Sequence, residues 1–291
     1  MQSGLFSEMV LIDANFKKAE GEAFDISHGV PFTRPIKIYA GEYDDLADAA
    51  IVVITAGAAQ KPGETRLDLV HKNINIFKSI IPEIVKRDFQ GILLIVANPV
   101  DILTYTALKL SGYAPNRVIG SGTVLDTARL KERLGEHLEV DSRSVHAFIV
   151  GEHGDSEIAA WSSANVSGIP LHDFCEMRGH HDHEGATSEI AEKVKNSAYE
   201  IIQRKGATYY GIAMSVKRIC EAIIRDERSI LPISTMMDGE YGIKDVVLSM
   251  PSIVGAEGFI SKVPISLSED EIKALHKSAE TLKSVLEEAL E

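Results

Sequence analysis

The sequence has few cysteines, no long apolar run and a shortage of positive charge, and each of these absences excludes a class of protein. Two cysteines in 291 residues are too few for a disulfide scaffold and are typical of a reducing compartment. No apolar stretch reaches the about 18 residues that cross a bilayer, and no apolar N-terminal segment suggests a signal peptide. The net charge of −13 disfavours nucleic acid and anionic membranes as partners. We therefore expect a globular protein of the cytoplasm.

The length and the spacing of apolar residues predict two domains. A chain of 291 residues is long for one core and suits two. Residues 9–12, 51–55 and 92–96 are short apolar runs, typical of strands buried on both faces of a parallel sheet. Residues 66–87 place apolar side chains on one face at helical spacing. This alternation predicts a doubly wound α/β domain with a parallel sheet over residues 1–119.

After about residue 120 the pattern becomes that of a mixed α+β domain. Residues 186–225 are predicted to be helical. The chain ends in a predicted helix that Ser268 and Glu271 should cap reciprocally, because they have the spacing of a capping box. Strands are expected at residues 144–150, 157–166, 229–236, 245–254 and 257–264. We expect residues 120–291 to be the substrate-binding and catalytic domain.

Two short segments supply the groups that acid–base chemistry on an anionic substrate needs. Residues 151–156 contain His153, and a histidine can give or take a proton near neutral pH. Residues 126–129 contain Asp126, which can fix the tautomer of a histidine, and Arg129, whose planar fork suits a carboxylate. Asp126 and Arg129 would share one helix face. Taken singly, a structural histidine and a helix ion pair explain the same residues.

Two further segments follow buried strands, and so belong at the sheet edge where open α/β proteins bind ligands. Residues 56–66, which contain glycine and proline, could close over a ligand or be a long connector. Asn98 could face the same crevice or only form a turn before its proline. The histidines of residues 180–183 could bind a transition metal or lie in an exposed mobile loop. We assign no metal ligands.

Together these segments resemble the lactate/malate dehydrogenase family, and within it the enzymes that act on L-lactate. The resemblance runs over essentially the whole chain, with the segments in the family's order: residues 10–13, 60–66, 96–101, 122–129, 151–156 and 205–208. It implies a Rossmann-type first domain and reversible hydride transfer between L-lactate or pyruvate and NAD. A broader 2-hydroxy acid dehydrogenase, malate-like or hydroxyisocaproate-like, is the alternative.

The resemblance also implies roles for the residues at the family's substrate site. His153 would be the acid–base group and Asp126 its orienting carboxylate. Arg129 would bind the substrate carboxylate, and Arg66 would polarise the ketone oxygen. Further substrate contacts would come from Gln60, Asn98 and Thr208.

Gln60 bears on the choice of substrate. Malate enzymes of the family have arginine at this position, where it pairs with the second carboxylate of malate. A neutral glutamine would leave that carboxylate desolvated without a partner, at a cost of several kcal/mol or about a thousandfold in affinity. Pyruvate and lactate are therefore expected over oxaloacetate and malate, unless Gln60 simply faces solvent.

On the cofactor side, the resemblance implies that NAD binds at the edge of the first sheet. Asp13 would accept hydrogen bonds from the adenosine ribose, where an acidic group disfavours a 2′-phosphate. The other matching cofactor positions are Lys18, Gly57 and Asn98.

The start of the sequence departs from the family's pattern. A dinucleotide-binding fold has a first strand and a Gly-x-Gly-x-x-Gly loop about 20 residues before the ribose-binding acid, but twelve residues precede Asp13. Residues 1–8 resemble the end of the helix after that loop. We expect a chain without this strand to bind NAD poorly and to aggregate, because strand edges and core are exposed. Alternatives are an internal Met taken as the start, an N-terminal portion left out, or a truncated subunit that oligomerises without catalysing.

The family includes bacterial tetramers that fructose 1,6-bisphosphate activates. The effector positions match Lys131 and His146, where lysine keeps the charge of the family's arginine but loses its fork. The resemblance therefore implies a homotetramer and allows a sugar-bisphosphate effector. Plain surface residues are the alternative at both positions.

Overall fold

The computed structural model describes residues 1–58 and 66–290. Its α-helices are α1 (Phe16–Ser27), α2 (Arg66–Val85), α3 (Val100–Ser111), α4 (Val124–Leu138), α5 (Leu171–Met177), α6 (His183–Lys205), α7 (Tyr210–Ile224) and α8 (Glu269–Leu290). Its strands are β1 (Glu8–Leu11), β2 (Lys37–Ala40), β3 (Ile51–Ile54), β4 (Ile92–Ile95), β5 (Val118–Gly120), β6 (Val145–His146), β7 (Ile149–Val150), β8 (Ile158–Ala159), β9 (Asn165–Val166), β10 (Ile169–Pro170), β11 (Ser229–Asp238), β12 (Lys244–Gly255) and β13 (Gly258–Lys262). Short 3₁₀ helices are Val30–Phe32, Tyr43–Leu46, Pro115–Arg117, Ser142–Ser144, Trp161–Ser163 and Glu240–Gly242.

The largest sheet joins strands from both halves of the chain, in the order β13-β12-β11-β5-β4-β3. Strands β3, β4 and β5 are parallel, and β4 is buried at every position, as its continuous apolar run predicts. Strands β11, β12 and β13 continue the sheet in antiparallel fashion, with Ser234 of β11 opposite Gly120 of β5. The sheet is therefore mixed, and strands from the two halves of the chain meet where β5 pairs with β11.

Strands β1 and β2 form a second sheet, a parallel pair with Glu8 opposite Lys37. In the part of the chain that the structure describes, neither strand hydrogen-bonds to the six-stranded sheet, of which β3 is the edge strand. Both β1 and β3 are less buried than β4, and Val53 of β3 is 38% exposed. The edges of β1 and β3 are thus open to another strand.

The helices follow their apolar patterns closely. On α2, the side chains of Val70, Ile74, Phe77, Ile81 and Ile84 are buried in the main core. On α8, Leu275 and Leu282 enter that same core. The predicted capping box is present, because the Ser268 N–H donates to Glu271 Oε2 over 2.7 Å and the Glu271 N–H donates to Ser268 Oγ over 3.2 Å.

Three predictions from the sequence are wrong in detail. Residues 1–8 are not the end of a helix: residues 1–7 form turns and coil, Gly4 has a left-handed φ of 62°, and β1 begins at Glu8. So short a segment cannot offset the cost of starting a helix. The strand expected over 144–150 is two strands, because β6 pairs with β9 while β7 pairs with β8. A 3₁₀ turn likewise divides 157–166. The helices predicted over 186–225 are present as α6 and α7, and Gly206 ends the first of them.

Candidate functional site

The centre of the site is a histidine held by a buried aspartate. Asp126 lies in the first turn of α4 and is 1% exposed. Its Oδ2 atom lies 2.5 Å from Nδ1 of His153. The His153 side chain is 24% exposed, so the ring can be reached from solvent while its aspartate cannot. Because Nδ1 is engaged, Nε2 is the nitrogen available to exchange a proton with a substrate.

Arg129 completes the cluster from the next turn of the same helix. Its Nη1 atom donates to Asp126 Oδ1 over 2.7 Å, and its side chain is 13% exposed. Asp126 therefore holds a histidine with one oxygen and a guanidinium with the other. A guanidinium has five N–H donors in a fixed fork, so Arg129 has donors left for the carboxylate of a small acid. The structure thus brings together three residues that the sequence assigns to one site.

The charges of this cluster determine its protonation. Burial acts to lower the pKa of His153, but the carboxylate of Asp126, by its charge and its hydrogen bond, raises that pKa to about 9. Burial acts to raise the pKa of Asp126, but the charge of His153 and the guanidinium of Arg129 hold it below its usual range. At neutral pH the pair is therefore an imidazolium and a carboxylate.

Asp101 holds the backbone of His153 in place, and this role was not identified from the sequence. Its Oδ2 accepts the backbone N–H of His153 over 2.8 Å, and its Oδ1 accepts the hydroxyl of Ser234 over 2.5 Å. Burial raises the pKa of Asp101 to about 6. In the sequence, Asp101 looks like an ordinary acid in the first turn of a helix; only its burial, at 2% exposed, shows that it links α3, β11 and the histidine loop.

Glu157 is a second carboxyl group that the sequence does not point to. It is half-buried, and its pKa is raised to about 8, first by burial and then by the negative charge of Asp126. Glu157 is close to the acid–base pair. One of its carboxylate oxygens, one of those of Asp126 and one ring nitrogen of His153 all lie within 4.8 Å of one another. A protonated Glu157 at neutral pH avoids a second negative charge beside Asp126.

The carboxyl ends of β3 and β4 form the neighbouring crevice, and Asn73 holds them together. This side chain is fully buried; its Oδ1 accepts the N–H of Ala58 and its Nδ2 donates to the carbonyl of Asn98, both over 2.8 Å. The Asn98–Pro99 peptide bond is cis. Asn98 and Gly57 are both exposed here. Asn73 was missed because nothing in an amphipathic helix marks one polar residue as a link between two strands.

The remaining residues predicted for the site lie on other elements or outside the described residues. Asp13 follows β1, exposed, with its Oδ1 accepting the N–H of Asn15 and its Oδ2 3.8 Å from Lys18 Nζ. Thr208 is half-buried between α6 and α7. Gln60 and the side chain of Arg66 lie outside the described residues.

The predicted effector residues lie on different elements. Lys131 is half-buried on α4, and burial lowers the pKa of its amine; His146 is exposed on β6. Among the described residues, no hydrogen bond or ion pair joins them. Nor, in residues 1–58 and 66–290, is any helix long and apolar enough to span a bilayer.

The fold and the site define an α/β protein whose aspartate-held histidine and paired arginine are arranged for proton transfer to a small anionic substrate. A model of the lactate/malate dehydrogenase NAD-binding domain matches residues 1–120, and one of the alpha/beta C-terminal domain matches residues 123–291. The chain belongs to the lactate/malate dehydrogenase family. It has the fold of that family, a Rossmann domain followed by a domain with a mixed sheet.

Individual relatives agree with this assignment. An L-lactate dehydrogenase of Acetivibrio thermocellus is 55% identical over 286 residues, which are 98% of this chain and 90% of that protein. L-lactate dehydrogenase 1 of Clostridium acetobutylicum is 53% identical over 99% of this chain and 92% of its own. The crystal structure of the ligand-bound minor L-lactate dehydrogenase from Enterococcus mundtii is 46% identical, with a TM-score of 0.93 over 97% of this chain and 90% of that chain.

Proposed function

We propose that this protein is an NAD-dependent L-lactate dehydrogenase that interconverts pyruvate and L-lactate. The observation that carries the proposal is the contact of both His153 and Arg129 with the single buried carboxylate of Asp126. This places a proton donor beside a carboxylate-binding cation, which is what reduction of a 2-oxo acid needs. The names of the relatives at 53–55% identity support the same substrate.

In the reducing direction, His153 acts as the acid. Its raised pKa keeps Nε2 protonated at neutral pH, so it can donate to the carbonyl oxygen as that oxygen gains negative charge. Asp126 holds the ring and stabilises its charged form, while Arg129 orients the substrate through its carboxylate. NAD, when bound, supplies the hydride donor or acceptor. In the oxidising direction, neutral His153 takes the hydroxyl proton of lactate at Nε2.

The residues at the sheet edge fit a dinucleotide. Asp13 presents an exposed carboxylate whose Oδ1 is already fixed by a backbone N–H, which suits it to ribose hydroxyls. Gly57 leaves room, since a Cβ there would meet Ala97 and Asn73 only at 3.5–3.6 Å, and Asn98 lies at the same crevice. We assign Lys18 to the cofactor side and Thr208, Arg66 and Gln60 to the substrate side.

The test is NADH oxidation by the purified protein with pyruvate, oxaloacetate and a longer-chain 2-oxo acid. Turnover that prefers pyruvate would support the proposal, and preference for oxaloacetate or the longer acid would replace it with the broader activity. His153→Ala should lower kcat/KM for pyruvate by about a hundredfold or more. The matched control is His181→Ala, because His181 is exposed and outside the site. A folded wild-type protein without turnover would instead support a non-catalytic oligomerising role.

We further propose that a parallel strand, whichever segment or chain supplies it, completes the fold between β1 and β3. The support is that both strands end a sheet and are partly exposed, which is unusual for parallel sheets. Amide hydrogen exchange of the purified protein tests this: β3 amides protected as well as those of β4 and β5 would support a strand paired on the open edge. Much faster exchange of the β3 amides would contradict it.

Three broader assignments complete the proposal. We place the domain boundary between residues 119 and 120, with an NAD domain before it and a substrate domain after it. We infer a cytoplasmic homotetramer, which the two unpaired thiols and the family support. A fructose 1,6-bisphosphate site at Lys131 and His146 is tested by titrating activity with the sugar bisphosphate: no change in the KM for pyruvate would dismiss it.

A further inference from the structure

Away from the active site, histidines converge on one cavity between α4, α5 and α6. The cavity is lined by His137, His172, His180, His183 and the thiol of Cys175. The rings of His172 and His183 stack with centroids 3.9 Å apart, and those of His137 and His180 lie 4.3 Å apart. The Nε2 atom of His137 is buried and has no hydrogen-bond partner among the described residues. Such a concentration of imidazoles has no part in the reaction described above.

Three side chains at the mouth of this cavity have the arrangement of metal ligands. His172 and Glu176 lie one turn apart on α5, so they share a helix face, and His183 opens α6. One donor atom from each lies within 4.8 Å of the other two. The Nε2 atom of His183 is 3.7 Å from Oε1 of Glu176, which is too long for a hydrogen bond. Two ligands of a tetrahedral zinc ion with bonds of 2.0–2.1 Å are about 3.3 Å apart, so the donor atoms would have to move closer, and the stacked rings would have to turn until their in-plane nitrogens converge on the ion.

A neighbouring carboxylate supports the first of these histidines. Oδ1 of Asp173 lies 3.6 Å from Nδ1 of His172, which is just beyond hydrogen-bond distance; a small rotation would let it accept from that nitrogen and leave Nε2 for a metal. Histidine ligands of zinc commonly have a carboxylate in this position. The overall charge of −13 further favours the approach of a cation.

We propose that His172, Glu176 and His183 form a binding site for a divalent transition-metal ion of the zinc type, with water completing the coordination. Two imidazoles and one carboxylate are typical of zinc sites, whereas calcium and magnesium prefer oxygen ligands alone. The site is separate from the Asp126, His153 and Glu157 cluster.

The ion would join α5 to the start of α6 across residues 178–182. Helix α6 packs against α4, which carries Asp126 and Arg129, so the metal would stabilise the support of the active site without touching the substrate. A ligand that binds only the folded state raises the melting temperature, and above Kd the rise grows with the logarithm of ligand concentration. We therefore expect zinc to raise Tm while leaving the acid–base groups unaltered.

The experiment is a zinc titration of the tag-free, chelator-treated protein against a chromogenic competitor, with Tm followed in parallel. We expect one tight site per chain. His172→Ala, His183→Ala and Glu176→Gln should each weaken zinc binding at least about tenfold, since even indirect partners of a metal are worth 10–100-fold. These substitutions should also abolish the rise in Tm that zinc causes. In the same variants, the visible absorption of a bound Co²⁺ probe should be lost.

Two controls separate this site from the alternatives. His181→Ala removes an exposed histidine of the same segment and should leave the affinity unchanged. His153→Ala removes the histidine of the active-site cluster and should also leave it unchanged. Equal zinc affinity in wild type, His172→Ala and His183→Ala would overturn the proposal, as would loss of the tight site in His153→Ala alone. Circular dichroism of each variant shows whether it is folded.

Discussion

At the scale of single residues, the pairing of Asp126 with His153 sets the protonation state from which the proposed mechanism starts. A histidine with a pKa of about 9, against about 6.5 for an unperturbed one, is protonated in the resting protein. It is then ready to donate a proton to a 2-oxo acid, whereas oxidation of the hydroxy acid must begin from the minor neutral form. In the proposed mechanism, the resting protein is therefore in the protonation state that reduction needs at neutral pH.

This protonation state predicts the pH profile. The kcat/KM for pyruvate reduction should stay level above pH 6.5 and fall as pH rises through about 9, because the proton on His153 is lost there. For lactate oxidation, kcat/KM should instead rise as pH increases through about 9, because neutral His153 is the form that accepts the proton. Steady-state rates between pH 6 and 10 measure both. A fall centred near 6.5 would show that Asp126 does not raise the pKa. The same raised pKa contributes stability that is complete below pH 6.5 and lost through pH 9.

Asp101 allows a finer test, because its role is to position His153. In Asp101→Asn, the amide oxygen can still accept the His153 N–H while the NH₂ donates to Ser234 Oγ. Unfolding free energy should therefore change by less than about 1 kcal/mol. Since the negative charge of Asp101 helps to raise the pKa of His153, the alkaline limb should move to lower pH.

Asp101→Ala is the contrasting variant. It leaves the His153 N–H without an acceptor and should cost about 1–3 kcal/mol in a denaturant titration. If Asp101→Asn were as unstable as Asp101→Ala, or if its alkaline limb did not move, the positioning role would be refuted.

At the scale of elements, α8 depends on its N-terminal cap. Ser268 and Glu271 exchange hydrogen bonds there, and α8 places Leu275 and Leu282 in the main core. Ser268→Ala should lower the unfolding free energy by about 0.5–2 kcal/mol, measured by urea denaturation. Ser188→Ala, on the exposed surface of α6, is the matched control and should stay within about 0.5 kcal/mol of wild type. Equal effects of the two substitutions would disprove the capping contribution.

Elements with a strong apolar periodicity could be predicted from the sequence, whereas strands whose limits depend on their pairing partners could not. The pattern on α2 and the runs in β3 and β4 depend on burial along one element, which the sequence records directly. The division of residues 144–150 into β6 and β7 depends on which strand pairs with which, and the partner strands lie outside that segment of the sequence. Likewise, no local signal showed that residues 1–7 would lie outside a helix.

The site divides in the same way. His153, Asp126 and Arg129 carry distinctive chemistry in compact motifs, so their meeting could be anticipated. Asp101 and Asn73 act through hydrogen bonds to residues far away in the sequence, such as His153, 52 positions from Asp101, and Asn98, 25 positions from Asn73. Their side chains are common polar types on helices, and only the packed molecule shows that they are buried and what they hold.

At the scale of the whole molecule, both cysteine side chains are buried. Burial raises the pKa of Cys220 to about 11 and also raises that of Cys175, and the two side chains are 4% and 6% exposed. At pH 8 Cys220 should hold at least about a hundredfold less thiolate than a free cysteine. An aromatic disulfide reagent should therefore label the native protein far more slowly than the unfolded one. Single Cys→Ser variants show which cysteine reacts in each kinetic phase of the labelling. Rapid labelling of Cys220 in the native protein would contradict the prediction.

The continuous sheet through both halves of the molecule has a mechanical consequence. A hinge between the halves would have to shear β5 from β11, where Gly120 faces Ser234, and break the hydrogen bond from the Thr123 N–H to the Pro232 carbonyl. The crevice at β3 and β4 and the acid–base pair beside α4 therefore sit on one stiff frame. The distance between the crevice and the acid–base pair is therefore fixed by the hydrogen-bonded sheet and does not depend on a hinge between the two halves.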